Sequence, residues 1–341
     1  MDEFQTLFEF IGKYIPRVDS YILNDLVSGD PEYVYQAATH LIRAGGKRFR
    51  PAVVLLTARM LGGGASESRA LPLAAAVEVF HTFTLIHDDI MDEDETRRGV
   101  PTVHVKYGVP TAILAGDLLQ SLSYKAILEA KRRGLRSPRI VAALDALVEA
   151  AIKVSRGQGY DMRFEKELVS YHDYLEMIYL KTGALIEASA KLGAIAAYAD
   201  REVVEQMGLY GRFVGVAFQI RDDILGVFGD PKVTGKPVYS DLRRGKKTIL
   251  LLYALDHTSG DERRLLERIA SGESVKEEDL EKAASIIRES GALAYAQELA
   301  ESYVKSALDI LDQLEAEDLV EDEDALRALR ELALFTVRRE K

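Results

Sequence analysis

The chain has 341 residues, and its 44 Lys and Arg against 55 Asp and Glu leave a formal net charge of −11. With 48% apolar and 29% charged residues it can bury a sizeable core, which excludes intrinsic disorder. The absence of cysteine excludes disulfides, thiolate metal sites and cysteine nucleophiles, and the acidic balance argues against a nucleic-acid partner, which calls for a basic face.

The N-terminus, Met1-Asp2-Glu3-Phe4, is acidic and has no basic segment ahead of an apolar one, so it does not read as a targeting signal. Residues 71–90, 111–133, 137–156, 171–199, 203–225 and 293–315 are rich in Ala, Leu and Glu. Their apolar side chains recur at three and four, which predicts helices. Residues 71–83 are apolar almost all round, as in a helix buried inside a bundle. Pro16, Pro31, Pro101, Pro110, Pro138, Pro231 and Pro237 are expected at breaks, and no segment alternates with period two, so no strand is expected. The most apolar run, 193–199, is far too short for a bilayer, so no membrane span is expected and the location is expected to be cytoplasmic. With no linker and no repeat, residues 1–341 read as a single all-α domain with functional loops at 97–104 and 229–247.

The sharpest motif is Leu85-Ile86-His87-Asp88-Asp89-Ile90-Met91-Asp92. Asp88 and Asp92 stand at i and i+4 on one helix face, where like charges repel by roughly 0.2–0.5 kcal/mol. The apolar helix before them raises that cost by desolvation. A hard cation removes the penalty, and Mg²⁺ accepts one or two carboxylates while keeping room for water and phosphate. By itself the motif is also what a solvated acidic helix end looks like. A second pair, Asp222-Asp223, follows Phe218-Gln219-Ile220-Arg221 about 130 residues on, and the two pairs together suggest two walls of one metal site.

Basic clusters accompany both pairs. Gly45-Gly46-Lys47-Arg48-Phe49-Arg50-Pro51 puts three cations at a glycine-rich helix start, Arg97-Arg98 follow the first pair, and Lys236, Lys246 and Lys247 follow the second. Each cluster alone is an ordinary solvated loop, but the repeated alternation of acid and base fits a magnesium-bridged polyphosphate. Rival motifs fail. Gly245-Lys246-Lys247 lacks the Ser or Thr of a Walker A loop, Gly157-Gln158-Gly159 has Met162 where a third glycine belongs, and no Gly-x-Ser-x-Gly elbow or His-Glu-x-x-His spacing occurs.

These motifs, joined by Gly157-Gln158-Gly159-Tyr160-Asp161 and Lys181-Thr182-Gly183, stand in an order that resembles the trans-isoprenyl diphosphate synthases, above all the archaeal geranylgeranyl diphosphate synthases. The resemblance runs over about residues 40–250 and returns in the tail, 335–341. It implies an all-α, single-domain helical bundle around a deep central cavity, the isoprenoid synthase fold, assembled as a homodimer. It also implies head-to-tail (1′-4) prenyl transfer. An allylic diphosphate (dimethylallyl, geranyl or farnesyl) ionises, the double bond of isopentenyl diphosphate attacks the cation, and a proton is lost as pyrophosphate is released. Such chemistry requires no side-chain nucleophile.

Carried over by motif, the resemblance implies that Asp88 and Asp92 ligate magnesium with Asp89 orienting them, and that Asp222 takes the remaining ion, with three Mg²⁺ ions per site. Gly46, Lys47, Arg50, His81 and Arg98 are implied to hold isopentenyl diphosphate, and Arg97, Lys181, Lys236 and Lys246 the allylic diphosphate. Thr182 and Gln219 are implied neighbours of the developing cation, and Arg338, Arg339 and Lys341 form a tail of the kind that closes over the site. One departure stands out: the family's second motif often has Asp four residues after Asp222, where this chain has Gly226.

The product tail is expected to run along the helix away from Asp88. Phe83 lies five residues back, about 7.5 Å along the axis, Phe80 is nearly a turn deeper, and Thr84 leaves the wall below the motif open. This pattern resembles the archaeal arrangement for a twenty-carbon product, so geranylgeranyl diphosphate is the expected end product, with farnesyl and geranylfarnesyl diphosphate as alternatives. A terpene cyclase or head-to-head synthase would lack the cations at 47–50. A non-catalytic, prenyl-lipid-binding partner subunit would lack the intact Asp88, Asp89 and Asp92.

Overall fold

Helix-favouring composition is realised almost throughout. The computed structural model describes residues 3–167, 169–230 and 239–339, and the protein is 81% helical and 1% strand. In chain order the elements begin with α1 (Gln5–Ser20), a π-helical turn (Tyr21–Leu26), α2 (Glu32–Arg43), α3 (Phe49–Gly62) and α4 (Glu67–Met91). A short hairpin of β1 (Thr96–Arg97) and β2 (Val100–Pro101) leads to α5 (Val103–Tyr107), α6 (Val109–Glu129) and α7 (Ser137–Phe164). Then come α8 (Tyr171–Ile178), a second π-helical segment (Tyr179–Gly183), α9 (Ala184–Ala196), α10 (Arg201–Phe228) and α11 (Ser240–Arg243). The chain ends with α12 (Ile249–His257), α13 (Gly260–Ala270), α14 (Glu277–Glu289), α15 (Ala292–Ala316) and α16 (Glu323–Arg338).

The stretches expected to be helical form α4, α6, α7, α10 and α15, whereas 171–199 is divided by the π-helical segment. Two expectations are corrected. Thr96–Arg97 pairs antiparallel with Val100–Pro101, a ladder of two residues per strand and too short to leave a period-two pattern. Pro16 falls inside α1 rather than at a break. Burial of Leu7, Phe10, Tyr14, Ile15 and Val18 along that helix holds it across the missing N–H.

Contacts gather the chain into two compact units. The first comprises Met1–Glu149, Ala188–Gly208 and Gln313–Glu331. Its centre is α4, packed against α3 and α6, with Leu73 through Val77, Val79 and Phe80 buried on every side. Residues Gly64–Met91 have the length and composition to cross a bilayer, with mean hydropathy 1.3, but 72% of that window is buried within the protein. The longest apolar stretch is therefore a core helix, and the short run at 193–199 is not the one that had to be judged. Within that run, Gly193 is required by packing, since a Cβ there would stand 2.5 Å from the Val54 carbonyl oxygen on α3.

The second unit comprises Ala150–Glu187, Leu209–Asp312 and Leu332–Lys341. Its core draws Phe164 from α7, Tyr174 and Ile178 from α8, Ile220 and Ile224 from α10, Leu250 and Leu251 from α12, Leu266 from α13 and Ile287 from α14.

Arg48 is the buried charge on which the start of α3 rests. It adopts a left-handed backbone (φ 49°), and its side chain is 2% exposed. Its guanidinium meets Asp19 at 2.7 Å and Glu78 at 3.1 Å, and donates to the carbonyls of Gly45 (2.8 Å) and Ile42 (2.7 Å). Removing one partner of such a pair strands a buried charge. Arg48→Met is expected to lower stability by about 3–5 kcal/mol in urea unfolding, and the double variant Arg48→Met/Glu78→Met to recover much of the loss.

Candidate active site

In the first unit the acidic motif ends α4. Asp88, Asp89 and Asp92 stand on its last turn, closed by the Asp92 N–H donating to the Asp88 carbonyl at 2.8 Å. The β1–β2 hairpin brings Arg97 back beneath them. Arg97 donates to Asp89 Oδ1 and lies 3.5 Å from Asp94 and 3.9 Å from Asp88. Arg97, expected on the allylic diphosphate, is thus placed against the carboxylates. Asp89 is fully buried, and its Oδ2 is buried with no hydrogen-bond partner. Burial pushes this carboxyl up to about 6 against the pull of Arg97, with Asp88 and Asp94 adding to the rise.

The glycine-rich loop supplies cations. Gly45 and Gly46 take φ values of 93° and 138°, and a Cβ on Gly46 would stand 2.8 Å from Arg98 Cζ and 2.9 Å from Arg48 Nη1. Only glycine admits two guanidinium groups here. Arg98 donates to the carbonyls of Leu41 (3.0 Å) and Gly45, which joins the 97–98 segment to this loop. The three cations at 47–50 therefore separate: Lys47 is exposed, Arg50 is half-buried, and Arg48 is structural. His81 lies under these arginines. Burial first, then the positive charges of Arg50, Arg98, Arg97 and Arg48, hold its imidazole well below the ordinary range, so it is neutral at pH 7.

Below the motif, Phe83 packs edge-on against Phe80 at 5.3 Å and against His87 at 4.9 Å between ring centroids. A Cβ on Gly116 of α6 would collide with the His87 ring, so that glycine seats His87 against Phe83. The Thr84 hydroxyl donates to the His81 carbonyl at 2.8 Å, which satisfies it within the helix and leaves no bulk at that position.

In the second unit, close backbone approach places the polar groups. A Cβ on Gly157 of α7 would collide with the backbone of Lys181, one on Gly215 of α10 would stand 2.6 Å from Gly183 Cα, and one on Gly211 would stand 2.5 Å from the Ile186 carbonyl oxygen. These glycines let α7 and α10 close on the π-helical segment that carries Lys181 and Thr182. Lys181 Nζ meets Asp161 at 2.5 Å, and the Thr182 hydroxyl donates to Gln219 Oε1 at 2.9 Å. Gln219 Nε2 donates to Asp223 Oδ1 at 2.9 Å, and the Tyr174 hydroxyl to Asp223 Oδ2 at 2.6 Å. Burial disfavours the charge of Lys246, but Asp223, Asp241, Asp161 and Asp222 outweigh it and hold the ammonium protonated, above its ordinary range. Lys246 Nζ lies 3.7 Å from Asp223.

Asp222 and Asp223 behave differently. Asp223 is 1% exposed and engaged by three donors, whereas Asp222 is accessible and paired with Arg339 of the tail. Arg339 is itself buried, donates to the Phe218 carbonyl at 3.2 Å, and lies 3.8 Å above the Phe218 ring. At Gly226 an added Cβ would collide with the Asp241 carboxylate of α11. A carboxylate from another element thus fills the place of the missing side chain. Sequence reasoning missed Tyr174 and Asp241, because single residues without a motif give no signal, and it named Asp161 within a motif without giving it a role. Lys236 lies outside the described residues.

The polyprenyl synthetase family profile matches residues 31–287. The chain belongs to the polyprenyl synthetase family. This polyprenyl synthetase is 55% identical over 302 residues to the geranylfarnesyl diphosphate synthase of Aeropyrum pernix, covering 88% of this chain and 93% of that one. It is 44% identical over 321 residues to the geranylgeranyl diphosphate synthase of Sulfolobus acidocaldarius, covering 94% and 95%. Its fold matches a solved polyprenyl synthase from Caulobacter crescentus, complexed with calcium and isoprenyl diphosphate, with TM-score 0.87, 32% identity, and 99% and 98% of the two chains covered.

Among the described residues no three His, Asp or Glu side chains form a ready-made metal cage. Mg²⁺ does not require one, since it takes one or two carboxylates and fills its shell with water and phosphate. Asp88 and Asp92 on one face, beside the orphaned Asp89 Oδ2, fit that demand.

His81 yields a pH test. The unfolded chain binds a proton at His81 near pH 6.5 and the folded protein does not, so this group's contribution to stability is lost as pH falls below 6.5. In calorimetry the drop in Tm between pH 7 and pH 5 should be smaller for His81→Gln than for the parent.

Proposed function

We propose that this polyprenyl synthetase condenses isopentenyl diphosphate with dimethylallyl, geranyl and farnesyl diphosphates, head to tail, to give geranylgeranyl diphosphate and pyrophosphate. The observation that carries the reading is the carboxylate face at the end of α4 with Arg97 turned back against it; the second unit, by itself, carries Asp222 on α10, Lys181 on the π-helical segment and Lys246 after α11. Asp88 and Asp92, and on the second unit Asp222, would hold Mg²⁺, three ions in all, which when bound supplies the concentrated positive charge that a departing diphosphate needs.

The chain's own residues account for the rest. Lys47, Arg50 and Arg98, with neutral His81 as a hydrogen-bonding partner, would hold isopentenyl diphosphate, and Arg97, Lys181 and Lys246 the allylic diphosphate. The allylic C–O bond breaks with its electron pair going to pyrophosphate. The isopentenyl double bond then attacks the cation, and the proton lost in forming the new double bond passes to the released pyrophosphate. The apolar wall of Phe80 and Phe83 keeps water from the cation. Geranylfarnesyl diphosphate is the second reading, favoured by the 55% identity to the Aeropyrum pernix enzyme. Water-borne diphosphate substrates accord with action in the cytoplasm.

Incubation of the purified protein with isopentenyl diphosphate, each allylic primer and Mg²⁺, followed by chromatography, tests the reading. A C20 diphosphate is expected, and no elongation from any primer would refute it. Phe83 is the proposed floor, so Phe83→Ala should shift the product to longer chains.

A homodimer is part of the same proposal. Val109, Ile113 and Leu114 on α6 and Val148 on α7 are each more than two-fifths exposed. Such a run of bare apolar side chains is what a self-complementary interface covers. Sedimentation should report a dimer, and Leu114→Glu should shift it towards monomer.

A further inference from the structure

The polar chain that ends at Asp223 has a fixed direction, and its far end is a residue with no part in the motifs. That residue is Tyr174, whose phenol donates to Asp223 Oδ2 at 2.6 Å, since a carboxylate can only accept. Asp223 Oδ1 faces Gln219 Nε2 at 2.9 Å and Lys246 Nζ at 3.7 Å. Tyr174 and Asp223 are each 1% exposed, so water does not compete.

A glutamine amide has two ends of opposite polarity, and its surroundings decide which way it points. A carboxylate offers only acceptors, so Asp223 takes the NH₂ end of Gln219 and turns Oε1 the other way. There Oε1 accepts the Thr182 hydroxyl proton at 2.9 Å, which leaves the Thr182 lone pairs outward. We propose that Tyr174, through Asp223, sets the polarity of the Gln219–Thr182 pair so that oxygen lone pairs rather than N–H groups face the allylic cation. Were the amide reversed, its positive end would face a developing positive charge and slow ionisation. Tyr174 is thus a positioning residue, and the inference rests on the prenyl-transfer reading of the same site.

Tyr174→Phe removes the phenol with almost no change of shape. The expected result is a fall in kcat of about tenfold, with KM for both diphosphates within about twofold of the parent. Affinity for an ammonium analogue of the allylic cation, measured by calorimetry with pyrophosphate and Mg²⁺, should weaken by a similar factor. Affinity for the thiolo-diphosphate analogue of the allylic substrate, which carries no positive charge on its allylic carbon, should hold. Installing 3-fluorotyrosine at position 174, which keeps shape and donor, should restore both kcat and ammonium affinity. An unchanged kcat overturns the proposal, as does equal weakening of the ammonium and thiolo-diphosphate analogues, which would mark a purely structural role. A parent protein that elongates no primer would instead overturn the prenyl-transfer reading.

Discussion

Carboxylates set at the end of a buried helix need positive charge beside them, and much of the structure around α4 and α10 answers that need. On α4, Arg97 returns along a two-stranded hairpin to reach Asp89, Asp88 and Asp94. Beside α10, Lys246 of the segment after α11 is drawn by Asp223, Asp241, Asp161 and Asp222, and Arg339 reaches Asp222 from the far end of the chain. None of these cations cancels the acids fully. Asp89 keeps one oxygen without a partner, and Asp222 stays accessible. Each unit by itself thus keeps carboxylate oxygens that its own cations do not fully engage.

Close packing by glycine sets the distances on which that balance depends. Gly46 admits two guanidinium groups, Gly116 seats His87 against Phe83, and Gly157, Gly211 and Gly215 bring helices onto the π-helical turn that bears Lys181 and Thr182. A π-helical turn departs from the ordinary helical ladder, a departure often found at functional sites. Gly226 follows the same logic in reverse. Its missing side chain is the space in which the Asp241 carboxylate sits, so a gap in the motif is filled from a different element.

How far the site was legible depends on whether a residue acts through its neighbours in sequence. Asp88, Asp92 and His81 share a helix face by spacing alone, and helical periodicity placed them correctly relative to one another. The 45–51 segment read as three equivalent cations, yet Arg48 turns inward to Asp19 and Glu78 while Lys47 stays exposed. Charge type cannot distinguish these, because burial depends on what α1 and α4 present at that point. The hairpin at 96–101 left no pattern, being shorter than one period of alternation.

The sequence by itself determined the all-α class, the helices that matter, the acid-and-base order and the family, because these rest on local propensity and on motifs contiguous in the chain. Only the tertiary structure decided which acids and cations are free to act. Asp223 is drawn inward by Tyr174, Gln219 and Lys246 while its neighbour Asp222 remains accessible, although the two are adjacent in an identical motif. The physical reason is that consecutive residues on a helix point about 100° apart, and what each then meets is supplied by residues tens of positions away.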